Sequence, residues 1–117
     1  MTLAYLATPY TGYAYGLGQA FIDAAKIAAR LINSGVTVYS PIIHSHPIAY
    51  WGDLDPLNQQ LWRDVDAAMV AKCDVLIIAH MEGWQHSSGI AHEIESFAAA
   101  GKPIFDLDPE TLKMVKR

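Results

Sequence analysis

The chain has 117 residues, 52% hydrophobic and 17% charged, the proportions of one folded domain rather than a disordered segment. Its net charge is −4 and its lysines and arginines form no cluster, which argues against a nucleic-acid polymer or an anionic membrane surface as the main partner. Cys73 is the only cysteine, so no intrachain disulfide can form. With no basic leader before an apolar run, and no stretch near the ~20 apolar residues that span a bilayer, a cytoplasmic protein is expected.

Thr2 to Thr8 is apolar at nearly every position, as in a strand covered on both faces, and Pro9-Tyr10-Thr11-Gly12 ends it. From Leu17 to Ser34 the apolar residues recur at helical spacing, with Asn33-Ser34-Gly35 as the stop. Val36 to Ser40 is β-branched and aromatic and reads as a second strand. Pro41 to Pro56 has no sustained period, and so long a connection is expected to be functional or partly helical. Leu57 to Lys72 returns to helical spacing, and Asp74 to Ala79 is a third strand in which Asp74 bonds backbone donors. Ser88 to Ala100 reads as a helix, Lys102 to Asp106 as a short fourth strand, and Pro109 to Lys116 as a closing helix. Alternating strands and helices specify an α/β fold: a single doubly wound domain over residues 1–117 with a parallel four- to five-stranded sheet, Rossmann- or flavodoxin-like.

In such sheets ligands bind beyond the carboxyl ends of the strands. Ser87, Ser88 and Gly89 follow the third strand and open a helix, where hydroxyls and free N–H groups can meet an anion. One turn inside, Glu93 falls at the edge of the buried stripe formed by Ile90, Ile94 and Phe97, while Glu95 and His92 point away from it. Glu93 can therefore face a pocket, or it can be an ordinary solvated helix glutamate. In the preceding helix the stripe favours Asp66 over Asp64 as the pocket carboxylate, against the alternative that both are exposed. Thr8 and Tyr10 can bond or stack on a planar ligand, or form a simple turn, and His46 is a candidate substrate contact on the loop after the second strand. Trp62 falls on a buried stripe, whereas Trp51 and Trp84 lie in loops that could cover a pocket. The five histidines match no zinc spacing, so no metal is expected; a site through His44, His46 and His86 is the minor alternative. Neither a Walker sequence nor a dinucleotide-binding fingerprint is present, and no cofactor is expected.

Three features together resemble the nucleoside 2-deoxyribosyltransferase-like superfamily over Leu3 to Phe105: the element order, the opening Tyr5-Leu6-Ala7-Thr8-Pro9-Tyr10, and the Ser87-Ser88-Gly89-Ile90-Ala91-His92-Glu93 motif. The chain looks most like its short uncharacterised branch, which shares Ser45-His46-Pro47-Ile48 and Gly83-Trp84, and is related to the nucleoside 5′-monophosphate N-glycosidases. The resemblance implies that Glu93 is the nucleophile at C1′ of the sugar. It also implies that Asp66, eight residues before Asp74, assists proton transfer to the base. The implied reaction is cleavage of an N-glycosidic bond in a nucleotide or nucleoside, by hydrolysis or base transfer; a non-catalytic nucleotide-binding module is the alternative. Serine at position 87, where the transferases carry aspartate, favours a 5′-phosphate. The first loop lacks the family's glycine- and arginine-rich phosphate sequence, and the transferases' C-terminal extension is missing. The resemblance also implies a homo-oligomer.

Overall fold

The computed structural model describes residues 1–117. Chain order is β1 (Leu3–Ala7), α1 (Leu17–Asn33), β2 (Thr37–Tyr39), α2 (Pro41–Gly52), α3 (Gln59–Lys72), β3 (Val75–Ala79), a 3₁₀ turn (Trp84–His86), α4 (Ser88–Ala99), β4 (Ile104–Leu107) and β5 (Met114–Lys116). The strands form one five-stranded sheet in the order β2-β1-β3-β4-β5, parallel except for β5. This mostly parallel α/β architecture is compatible with a Rossmann- or flavodoxin-like fold. No helix is long and apolar enough to cross a membrane.

The two-residue alternation of the central strands sends side chains into two separate cores. Ala4, Leu6, Ile77 and Ala79 pack with Ile27, Ala28 and Leu31 of α1 on one face. Tyr5, Ala7, Leu76 and Ile78 pack with Ile90 and Phe97 of α4 on the other, joined by Met69 and Val70 of α3. Cys73 is fully buried in this second core as a free thiol. Helices cover both faces, which explains why β1 and β3 read as unbroken apolar runs.

Two sequence expectations change. The aperiodic segment after β2 is a full helix, α2. Pro41 takes the first helical position and the Ser40 side chain accepts the Ile43 N–H at 3.3 Å. Its apolar residues lie on several sides because α2 is flanked by α1 and the strand ends, so Ile42 joins Tyr10, Ala20 and Ala24 in a third cluster. No single stripe could mark it.

The expected closing helix at Pro109 to Lys116 is instead a tight turn and an antiparallel strand, β5, against β4. Asp108 holds the turn by accepting the N–H groups of Glu110 and Thr111, and Leu112 takes a left-handed conformation at φ 62°. Arg30 on α1 binds the carbonyls of Pro109 and Glu110 and so removes them from any helical ladder.

The lower end of the site-bearing layer is tied by Lys102, whose ammonium donates to the carbonyls of Val70, Ala71 and Cys73 at 2.9, 3.0 and 2.8 Å. These are the orphan carbonyls at the C-terminus of α3, where a cation is also favoured by the helix dipole. Lys102→Met is expected to cost about 2 kcal/mol, in the range for charged hydrogen bonds, measured as a lower urea midpoint with unchanged slope. An unchanged midpoint would assign the capping of α3 to solvent. Asp74, at the same end, accepts the Leu3 N–H at 2.7 Å, the backbone role expected of it.

Candidate active site

The sheet order places β1 and β3 side by side while the chain leaves them in opposite directions, so the crevice beyond their carboxyl ends is the topological switch point. A cavity of about 510 Å³ opens there, within the range of about 300–1,000 Å³ typical of small-ligand sites. Its walls are the loop after β1, α2, the exposed face of α3 and the first two turns of α4.

α3 contributes Gln59, Trp62, Arg63, Asp66, Ala67 and Val70, the i, i+3, i+4, i+7 series of one helical face. α4 contributes Ser88, Gly89, His92, Glu93 and Ser96, with Ser87 as its cap. The two carboxyl-bearing faces thus meet across one space. Of the residues singled out in the sequence, Glu93, Asp66, Thr8, Tyr10, Ser87, Ser88 and Gly89 all line it.

His46 does not. Its Nδ1 lies 2.6 Å from the Tyr10 hydroxyl, and its ring stacks on Phe21 at 4.8 Å. Because α2 is a helix rather than a loop, His46 is turned toward α1 and reaches the cavity only by fixing Tyr10. His92 points away from the buried stripe as expected and is exposed, yet the cavity wall passes over it. The tryptophans also reassort. Trp62 lines the cavity and donates its indole N–H to the Asp55 carbonyl at 3.0 Å. Trp51 is 82% exposed and lies off the cavity, and Trp84 stacks on His80 at 4.0 Å. His44, His46 and His86 do not converge, and no group of three histidine, cysteine or carboxylate side chains has the geometry to hold a metal.

Burial governs the ionisation of the carboxyl pair. It pushes Glu93 up to about 8, against the nearby Tyr5 hydroxyl, which favours the carboxylate, and with help from the charge of Asp66. Asp66 is also raised by burial, offset by the imidazoles of His44 and His92. Burial thus raises the proton affinity of both carboxyls in the cavity they share.

Tyr5, in sequence one residue of an apolar strand with no functional motif around it, also lines the cavity. Tyr5 shares its face with Ala7, beneath α4, and its phenol lies close to Glu93, whose charge adds to the upward push of burial on the hydroxyl. That hydroxyl is buried and has no partner of full hydrogen-bond geometry, its nearest acceptor being the Glu93 carboxyl; the hydroxyls of Thr8 and Tyr39 are buried without a partner. Tyr39 is pushed up to about 12, first by burial and then by Asp66, Cys73 and Glu93. A tyrosine inside a fully covered strand was the available signal, since a buried phenol ordinarily has a partner.

At the top of α4 the Ser87 Oγ accepts the Ile90 N–H at 3.2 Å, which leaves its own O–H free to donate. The N–H groups of Ser88 and Gly89 have no acceptor inside the helix. A Cβ at Gly89 would meet only the Ser87 Oγ, at 3.8 Å, so the backbone does not require glycine here. Its missing side chain leaves the first turn uncovered on the cavity side.

Fold and site together define an α/β domain with a paired-carboxyl cleft at its switch point. The chain belongs to the family described as Domain of unknown function (DUF1937), whose model matches residues 2–108. A comparison with curated proteins gives no significant match.

Proposed function

We propose that the domain cleaves the N-glycosidic bond of a nucleoside or its 5′-monophosphate, with Glu93 as nucleophile and Asp66 as acid to the leaving base. The observation that carries this reading is the pairing of Glu93 with Asp66 across one cavity below the start of α4. Support also comes from the motif resemblance to the nucleoside 2-deoxyribosyltransferase-like superfamily and the cavity's size. The Glu93 carboxylate attacks C1′ as the bond to the base nitrogen breaks, and Asp66 delivers its proton to the base. Water, activated by the now ionised Asp66, or a second base then releases the sugar from Glu93. The Tyr5 hydroxyl is placed to donate to the carboxylate form of Glu93 and so to favour the attacking state.

This chemistry requires one proton on the pair. Two protons leave no nucleophile and none leaves no acid, so the titration belongs to the dyad rather than to either residue. kcat/KM is therefore expected to be bell-shaped, with its alkaline limb near pH 8, where the last proton leaves. A rate that climbs steadily through pH 9 would show that no carboxyl proton is used.

A chromatographic screen of nucleosides and 5′-monophosphates for released base, with Glu93→Ala as control, tests the function. Clear binding without free base from any substrate would replace the enzyme by a nucleotide-sensing module.

A further inference from the structure

Tyr39, the last residue of β2, pairs in register with Tyr5 on β1. The strands are parallel neighbours, so the two phenols rise from the same face of the sheet, with ring centroids 5.6 Å apart. Tyr39 packs against the core that also takes Met69 and Val70 of α3. Asp66 comes three and four residues before those two, on the same helical face. The face of α3 that carries Asp66 therefore stands over Tyr39, much as the face of α4 that carries Glu93 stands over Tyr5.

The Tyr39 hydroxyl is buried and has no partner, a condition that is costly and rare. Tyr39 lies below the cavity rather than on its wall, so a bound ligand does not supply the missing acceptor. Of the charges that act on Tyr39, that of Asp66 is the largest, ahead of Cys73 and Glu93, whereas Tyr5 feels Glu93 before Asp66. The other ionisable neighbours of Asp66 are His44 on α2, whose ring lies 6.1 Å from that of Tyr39, His92 and Glu93 on α4, and Arg63 on its own helix face. None of them gives the Asp66 carboxyl a hydrogen bond. A donor without an acceptor thus lies beneath a carboxyl without a donor.

We propose that Tyr39 is the positioning residue of Asp66: its hydroxyl donates to the Asp66 carboxylate that exists once the base has taken the proton. The carboxyl pair is then matched by a phenol pair on adjacent strands. This role rests on the glycosidase reading for the reaction that Asp66 serves. In its first half the Glu93 carboxylate bonds to C1′, the bond from C1′ to the base nitrogen breaks, and the Asp66 proton goes to the base. The phenol proton stays on Tyr39 throughout, shared in a charge-assisted hydrogen bond with the new carboxylate. A donor to the charged form makes Asp66 the stronger acid, and then holds the carboxylate in place to take a proton from the attacking water.

Carboxyl-carbon NMR titration of the Glu93→Gln protein, in which Asp66 alone of the pair still titrates, reads the contact without turnover. Its signal is assigned by loss in Asp66→Asn. Tyr39→Phe keeps the ring and removes the hydroxyl, and is expected to raise the Asp66 midpoint by about one pH unit, a tenfold change in proton affinity. Tyr5→Phe, the same deletion in the same core, is expected to move it by less than about 0.3 unit. An unchanged or lowered midpoint in Tyr39→Phe, or an equal rise in Tyr5→Phe, would overturn the proposal. With Glu93 intact, Tyr39→Phe should slow release of a natural base about tenfold, and release of para-nitrophenol from the matching glycoside less than about twofold, since that group leaves without a proton. Equal slowing of both would also overturn it, by assigning Tyr39 to packing. If the midpoint moves as expected but the wild-type protein releases no base from any substrate, the glycosidase reading fails while the contact between Tyr39 and Asp66 stands.

Discussion

Replacing Glu93 with alanine is expected to lower base release by about 10⁴-fold while leaving the fold intact. The magnitude follows from removing a nucleophile that acts as a unit with its acid, where single deletions cost most of the catalysis. Asp66 would still protonate the base, but no group would form the covalent bond at C1′. A 2-fluoro-arabinosyl nucleoside analogue, which slows breakdown of the glycosyl intermediate, should add one sugar mass to the wild-type protein in intact-mass measurement and none to Glu93→Ala. Full turnover by Glu93→Gln on the best substrate would remove Glu93 from the mechanism. The fold is expected to survive because Glu93 stands at the edge of the α4 stripe. Ile90 and Phe97, which carry the packing, are untouched.

Glu93→Gln should also stabilise the protein at alkaline pH. The folded-state value of about 8 lies above the ordinary 4.5, so between these values the folded chain binds more protons than the unfolded one. Stability then falls as pH rises through that window and levels off above it. At about 1.36 kcal/mol per unit, the cost reaches on the order of 5 kcal/mol above pH 8. Glutamine keeps the shape of the protonated acid and cannot ionise. The two proteins should melt together near pH 4, and the variant should melt on the order of 10–20 °C higher at pH 9. Parallel melting curves across the range would show that Glu93 ionises in the folded state as readily as in the unfolded chain. A stabilising substitution that abolishes activity is the expected signature of a carboxyl held in an unfavourable setting for function.

The same physics explains what was legible in advance. Strands β1 and β3 were readable as unbroken apolar runs because both their faces are covered, and helices α1 and α4 because each buries one face at helical spacing; α3 kept that spacing although none of its residues is fully buried. The distinction between Asp66 and Asp64, and between Glu93 and Glu95, came from that period. Asp66 and Glu93 do line the cavity, whereas Asp64 and Glu95 are exposed and off it. α2 left no such record, since its apolar residues serve α1 on one side and the strand ends on another. The chain's last segment has helix-compatible residues, and only the Asp108 turn and Arg30 on a distant helix make it a strand.

What the sequence determined by itself is the alternation of elements, the two-faced sheet and the position of an acidic residue one turn into a helix after β3. These depend on local spacing. Tertiary structure alone decided that Glu93 and Asp66 share one cavity and that His46 serves Tyr10 rather than that cavity. It also brought Tyr5, Thr8 and Arg63 to the same place. Those outcomes depend on which strand lies beside which and how far each helix stands above the sheet edge. Burial then raised the proton affinity of the carboxyl pair, because the desolvation of a charge is set by what surrounds it in space.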